Sequence, residues 1–513
     1  MGKSSNSAHE FELKLEFDRD GFDRLCVALS EKGLLPGTGT ELITTYYDTP
    51  GLELRKAGIS LRLRTGGGPP VQTVKMRTGM RGGISNPFES EGPVAGEIPD
   101  LDAIPSKAVR KRVESILDGS APEPVVRTDI TRIHLPPDCF DGVADLSLDR
   151  GTVSAGGREE HFNEAELELA EGTANELLAL ALDLFRDKAW RFSNSTKAER
   201  GYRLLENGPE FEAVPERASP AQLRPGARLN RGFAIMAASA VDQILSNWEA
   251  VLVNDDPECA HQLRIGLRRL RTVLKMVRPV IDTPELRALE AELRDAGRLV
   301  GRLRDADVIL IDIAAPALAF FNDTDAATAL DAILARDRVE ERATVREGLR
   351  EQRWNEMLLR LALLPYGAGW QGTIGDDVPR LKTFAPEALQ HAWKTVRKEA
   401  RRLAELTVAE RHQLRKHLKT LRYRCEAFQS LFPAGRYDEF LLALKTLQDK
   451  FGYLNDVELA RSMAARLPED ADVRAAAGFV LGWHAALLEH EWADVTARWD
   501  SLNATRPFWD AKD

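Results

Sequence analysis

Cysteine is scarce and scattered: Cys26, Cys139, Cys259 and Cys425 are the only four in 513 residues, and none forms a C-x-x-C pair. That excludes the usual zinc-ribbon and disulfide frameworks and makes a reducing cytoplasm the natural compartment. The nine histidines form no H-E-x-x-H. Glycine spells neither a Walker A loop nor a dinucleotide fingerprint, so the common nucleotide-binding folds are unsupported. No window approaches the ~18 apolar residues of a membrane span. The opening "MGKSSNSAHE" has no apolar h-region, so no secretory signal is expected, and Asn6 breaks the myristoylation pattern. Positive charge is in deficit as well. A net charge of −10 argues against a generic nucleic-acid coat.

What is present is a soluble globular composition, 43% hydrophobic, on a chain long enough for two or three domains. Two grammars divide it. Residues 7–206 read mostly as strands: "HEFELKLEF", "GISLRLRTG", "VQTVKMR", "GVADLSLDRG" and "EAELELAEG" alternate with period two, with Gly and Pro between them. Residues 19–33 and 173–189 read as helices. Residues 207–228 carry four prolines and no periodicity, which is a linker composition. Residues 229–506 are helical throughout, with 3.6-type spacing. They contain a repeat, about 229–375 and 376–506. "AHQLRIGLRRLRTVL" matches "RHQLRKHLKTLRYRC", and Asp305 and Asp456 each stand 44 residues after the histidine of their copy, His261 or His412.

The strands are unusual in how they sort charge. Glu164, Glu166 and Glu168 share one strand face, and Arg62 and Arg64 share another. Same-face neighbours stand ~7 Å apart and repel. A solvated face usually mixes signs. Segregated signs suit a shared polyvalent ligand, because clustered carboxylates hold divalent metal and clustered cations hold phosphate. Closing the sheet would turn these faces inward and leave the apolar faces outside, under helices.

Glu10-x-Glu12-x-Lys14 resembles the signature of the CYTH superfamily, the triphosphate tunnel metalloenzymes. "YYDTPGLELRKAGISLRLR", Lys75 in "TVK", "TDITR", "DLSLDRG", "EAELELAEG" and "STKAERGY" follow in the family's order. The resemblance implies a fold of α+β class: a closed antiparallel β-tunnel of about eight strands with flanking helices, hydrolysing triphosphate with Mg²⁺ or Mn²⁺. By matched position, Glu10, Glu12, Lys14, Lys75 and Lys197 would form the catalytic set. Arg62, Arg64, Arg132 and Arg200 would bind substrate. Glu10, Glu12, Asp149, Glu166 and Glu168 would ligate metal. One departure stands out: Pro87 occupies a position where the family carries an arginine, with Glu89 retained. A tunnel cation is then missing unless Arg77 or Arg81 replaces it.

The helical half carries two cationic stripes. His261, Arg264, Arg268, Arg271 and Lys275 lie along one face of a helix, ~21 Å long at the standard rise. His412, Arg415, Lys419 and Arg422 repeat the spacing. Six Arg or Lys and no acid lie between His261 and Arg278, and again between Arg411 and Arg424. Such stripes in an acidic protein call for an anionic partner. These residues, with "RDADV" and "LNDV", resemble the CHAD domain, the conserved-histidine α-helical domain. That resemblance implies an all-α, pseudo-two-fold bundle binding inorganic polyphosphate in a groove lined by the stripe residues.

The leading expectation is therefore a metal-dependent inorganic triphosphatase with a polyphosphate-binding domain, acting on triphosphate and polyphosphate with no nucleic-acid or membrane partner. The alternative is a scaffold with a degenerate tunnel, as Pro87 suggests, docking in the cytoplasm on polyphosphate granules. An adenylate cyclase, which some tunnel relatives are, finds no adenine-reading motif here.

Overall fold

The computed structural model describes residues 11–35, 37–76, 84–85, 88–96, 98–193, 195–206, 213–373, 375 and 377–510, side chains 489–491 and 493 excepted. Glu10, Arg77, Arg81 and Pro87 lie outside them. The chain forms two compact units, Met1–Glu212 with Gln352–Leu363, and Ala213–Glu351 with Leu364–Asp513. Among the described residues no helix is long and apolar enough to cross a membrane.

The first unit is an antiparallel sheet. Its strands are β1 (Glu12–Glu16), β2 (Thr40–Asp48), β3 (Ile59–Thr65), β4 (Val71–Met76), β5 (Ile84–Ser85), β6 (Phe88–Pro93), β7 (Glu123–Leu135), β8 (Ala144–Ala155), β9 (Arg158–Leu169) and β10 (Arg191–Phe192). The hydrogen-bonded order is β10-β1-β9-β8-β7-β2-β3-β4-β6, with β5 pairing β1. Among the described residues the ladder is therefore not continuous all the way round, as strict closure would require. Its ends are bridged instead: β5 pairs β1 through Glu12↔Ser85 and Leu13↔Ile84, and β6, two residues further along the chain, pairs β4.

The apolar faces point outward, as the alternation predicts. Leu13 and Leu15 are fully buried. Phe17 stacks edgewise on Phe22 of helix α1 (Arg19–Glu31), at 6.4 Å. Asp18 caps that helix by accepting from the Gly21 N–H. Beyond the short α2 (Glu53–Lys56), the outer face of β3 and β4 packs on Val109, Val113 and Leu117 of α3 (Lys107–Leu117). Phe17 also meets Phe185 of α4 (Ala174–Phe185), at 6.2 Å. A Thr173–Glu176 capping box starts that helix.

The inner face is treated differently. Helix α5 (Lys197–Glu206) lays Ala198, Tyr202 and Leu204 onto Tyr46, Val126, Ile130, Val153 and Phe162. An apolar floor thus covers one end of the charged face. Gly201 makes this approach possible, since a Cβ there would fall inside contact distance of both Val126 methyls.

The second unit contains α6 (Leu229–Val253), α7 (Pro257–Val277), α8 (Pro284–Asp307), α9 (Ala315–Leu318), α10 (Thr324–Leu349), α12 (Leu381–Glu399), α13 (Val408–Ala427), α14 (Ala434–Ala464) and α15 (Ala471–Ala504). The triplet α6-α7-α8 recurs as α12-α13-α14, and α7 packs against α13. Two boundaries differ from the sequence reading. Residues 213–228 are not a free linker: Asn247 clasps the Glu216 backbone through both its N–H and its carbonyl, and Ser430 does the same for Leu223 and Ala221. Helix α11 (Arg353–Leu363), taken from the helical half of the sequence, packs on α4. There the Asn355 amide donates to the carbonyls of Arg186 and Lys188.

Overpacking at a closed helix–sheet contact costs about 1–3 kcal/mol. Gly201→Ala is expected to destabilise the first unit by that amount in chemical denaturation, whereas Gly68→Ala, with open space around its Cβ position and no left-handed backbone, costs less.

Candidate functional sites

Strand register builds the first site in rows. β1 and β9 place Glu12 opposite Glu168, Lys14 opposite Glu166, and Glu16 opposite Glu164. β8 continues each row with Asp145, Ser147 and Asp149, and β7 adds Arg132 beside Asp149. Across the sheet, Thr44 of β2 stands between Arg64 of β3 and Thr128 of β7, and Tyr46 stands beside Arg62. Thr73 and Lys75 of β4 follow, facing Glu91 and Glu89 of β6. Period-two alternation puts all of these on one face.

The carboxylate half is densely paired. Lys14 Nζ lies 2.7 Å from Glu166 and 3.3 Å from Glu12. Lys197, at the start of α5, reaches Asp149 (2.9 Å), Glu164 (2.5 Å) and Glu166 (2.8 Å). Arg132 grips both oxygens of Asp149 at 2.6 Å and touches Glu166 at 2.9 Å. Asp149 and Glu164 are 0% and 1% exposed. Burial alone would favour neutral groups here; the partners reverse it. Lys14 is held well above the usual lysine range by Glu12, Glu166 and Glu164 against the desolvation penalty. Glu166 is held well below the carboxylate range by Lys14, Lys197 and Arg132 against the same penalty.

The cation half is the opposite case. Among the described residues Arg62 and Arg64 have no ion-pair partner, and Arg62 Nε is buried without an acceptor. Arg62 first, then burial, then Arg132 push the Arg64 guanidinium down to about 10. Lys75 pairs with Glu89.

Asp149, Glu164 and Glu166 offer oxygens within 4.8 Å of one another. An all-oxygen donor set fits a hard divalent ion in kind, with the Lys197 ammonium now neutralising the same oxygens. Of the residues expected to ligate metal, Asp149 and Glu166 are in this cluster. Glu12 pairs with Lys14, and Glu168 stands in the neighbouring row. Glu164 was not foreseen as a ligand, although its alternation with Glu166 was visible. Arg200, expected to bind substrate, is 3% exposed and bonded to Glu16 at 2.7 Å and Glu160 at 2.9 Å. Arg200 and Arg191 hold the Glu16 carboxyl below the usual range despite burial.

The second site lies where α7 meets α13. Arg264 pairs with Asp305 at 2.8 Å, and its repeat counterpart Arg415 stands 3.9 Å from Asp456. Among the described residues Arg268 and Lys419 have no carboxylate partner. Burial and then Arg264 push Arg268 down to about 10. Burial and then Arg415, Arg268 and Arg264 push Lys419 down to about 6. His261 is lowered by burial and then Arg304. His412, lowered by burial and then Lys416, bonds Asn455 at 3.0 Å. Arg304 and Asn455 were missed, although each directly precedes the aspartate that marks the repeat. Further along the stripe the cations have carboxylate neighbours. Arg271 and Lys275 approach Glu290 of α8 at 3.9 and 3.4 Å, and Arg422 approaches Glu426 at 3.6 Å.

A family model for the CYTH domain matches residues 8–202, and one for the CHAD domain matches residues 235–465. An uncharacterized protein of Mycobacterium tuberculosis is 26% identical over 75% of this chain and 76% of its own. An inorganic triphosphatase of Haemophilus influenzae is 27% identical over 38% of this chain, which spans 54% of that relative. Among solved structures, the CHAD domain from the plant Ricinus communis is 27% identical at a TM-score of 0.49, over 57% of this chain and 98% of that one. HpAC1 of Hippeastrum, reported with a dominant triphosphatase activity, is 19% identical at a TM-score of 0.31, over 39% and 97%.

Lowered carboxyl groups contribute stability that is present above their unfolded values and lost as pH falls through their folded ones. Asp149 and Glu166 both start from ordinary values near 4. Thermal stability of the first unit is expected to hold from about pH 7 to 5 and to fall steadily below about pH 4. About 0.5 M salt should leave this profile nearly unchanged, since buried pairs are poorly screened.

Proposed function

The chain belongs to the CYTH family in its first half and to the CHAD family in its second, and from that premise we propose that it hydrolyses inorganic triphosphate with a divalent metal and binds inorganic polyphosphate. The observation that carries the first part is the unpaired arginine wall facing a charge-saturated carboxylate wall. Arg62 and Arg64 repel one another until an anion lies between them. A triphosphate supplies that anion, and its arrival offsets their mutual repulsion. The triphosphatase relative from Haemophilus influenzae supports the same reading.

Asp149, Glu164 and Glu166 would hold the metal, which when bound supplies Lewis acidity and charge neutralisation. The chain's own residues do the rest. Arg62, Arg64 and Lys75 bind phosphate oxygens and orient the chain. Lys14, Lys197 and Arg132 fix the carboxylates and present N–H groups toward the same space. The floor formed by α5 excludes water from below. Attack by water on the terminal phosphorus forms one P–O bond and breaks another; the leaving pyrophosphate takes the bonding pair, and the water's proton passes to a phosphate oxygen or to solvent. Catalysis rests on positioning and charge stabilisation.

The groove between α7 and α13 supports the second part. Half-buried cations without carboxylate ion pairs match a repeating anion, and binding should weaken steeply with salt.

A phosphate-release panel over triphosphate, ATP, thiamine triphosphate and long polyphosphate, with and without Mg²⁺ or Mn²⁺, tests the activity. Metal-dependent release from triphosphate is expected; none from any substrate would leave the scaffold reading. Arg64→Ala is expected to lower kcat/KM about 10²-fold while raising the melting temperature, because it removes a charge the fold disfavours. Arg268→Ala should weaken polyphosphate binding and reduce the slope of log affinity against log salt by about one.

A further inference from the structure

The two cationic stripes differ in kind at one central position. Arg268 and Lys419 each stand seven residues after the leading histidine of their repeat, so duplication gives them equivalent places. Arginine keeps its charge in any folded protein, whereas a buried lysine readily loses it. Lys419 is surrounded by cations. Arg415 and Arg422 lie on its own helix, and Arg264 and Arg268 face it from α7. His261 is within its field, as is Asp456 of α14. The acids nearby are already engaged: Asp305 by Arg264 at 2.8 Å, Asp456 by Asn455 and, more distantly, Arg415, and Glu426 by Arg422. Arg304 of α8 adds further positive charge, since it acts on both His261 and Asp456. Among the described residues Lys419 has neither a hydrogen bond nor an ion pair.

We propose that Lys419 couples ligand binding to proton uptake: uncharged in the free protein at neutral pH, it takes one proton from solution when a phosphate chain settles between α7 and α13. The inference rests on the polyphosphate reading of the groove. The step is a simple protonation, amine plus proton giving ammonium, with no other bond made or broken. Burial and the surrounding guanidinium groups bring the free amine to about 6. Phosphate oxygens favour the charged form, so the bound value is higher. Between the two values, affinity rises by up to about tenfold for each unit that pH falls. Below about 6 the amine is charged in both states and the dependence ends. One stripe therefore provides a permanent charge at the centre of the groove, and the other provides a charge that appears with the ligand.

The test uses the full chain and medium-chain polyphosphate. Titration calorimetry at about pH 7.5, in two buffers of different protonation enthalpy, counts the protons taken up. Lys419→Arg keeps a cation in place but cannot take up a proton. Titration of the polyphosphate itself is common to both proteins and cancels in the comparison. Wild type is expected to take up about one proton more per site than Lys419→Arg, and only wild type should show the steep rise in affinity from pH 8 to 7. Equal uptake in the two proteins would overturn the proposal. Acetylation rate against pH at Lys419, measured without ligand, separates the two layers. A profile matching surface lysines overturns the proton coupling and leaves polyphosphate binding intact. A neutral-amine profile without polyphosphate binding at any pH instead overturns the groove reading, and the coupling with it.

Discussion

Taking a charged side chain out of water is costly unless an opposite charge goes with it, and the two units meet that constraint in related ways. In the sheet, Asp149, Glu164 and Glu166 are buried and nearly every oxygen has a cationic partner. On the opposite wall Arg62 and Arg64 repel one another, and among the described residues neither has an ion-pair partner. The helical groove repeats the contrast. Arg264 and Arg415 face aspartates, while Arg268 and Lys419, one turn further along, have no ion pair among the described residues. Each site thus consists of a satisfied part that sets geometry and an unsatisfied part that only a polyanion completes.

The satisfied part fixes shape because its members share atoms. Lys197 belongs to α5, yet its ammonium joins strands β8 and β9. Arg200, one turn later, ties the same helix to Glu16 of β1. The apolar floor and the ionic cluster are therefore two ends of one short helix. Displacing that helix would disturb the carboxylates even where no polar atom had been changed.

Much of this was legible in the sequence, for identifiable reasons. Alternation assigned Leu13, Leu15, Arg62, Arg64 and Glu166 to their faces, because a strand's period allows no other sorting. The 44-residue offset from His261 to Asp305 and from His412 to Asp456 marked the repeat, and the structure then pairs Arg264 with Asp305 and brings Arg415 near Asp456 at equivalent places. What escaped were partners set by packing between elements. Nothing periodic says that Glu290 of α8 would neutralise Arg271 and Lys275, or that Arg200 would turn toward Glu16. The two-residue strand β5 is too short for any pattern to announce it, yet it links the two ends of the sheet.

The placement of α11 has a consequence for how the protein can be divided. Residues 352–363 come from within the stretch that matches the CHAD family, yet they pack as part of the sheet unit. Trp354, Met357 and Leu361 of this helix are buried, and Asn355 closes off two backbone carbonyls at the end of α4. A gene fragment ending near residue 206 would expose the side of α4 that this helix packs against and leave those carbonyls unpaired. The complementary fragment would carry the orphaned helix. Neither half can therefore be inherited, expressed or exchanged as a contiguous cassette without a scar, although each has a core of its own.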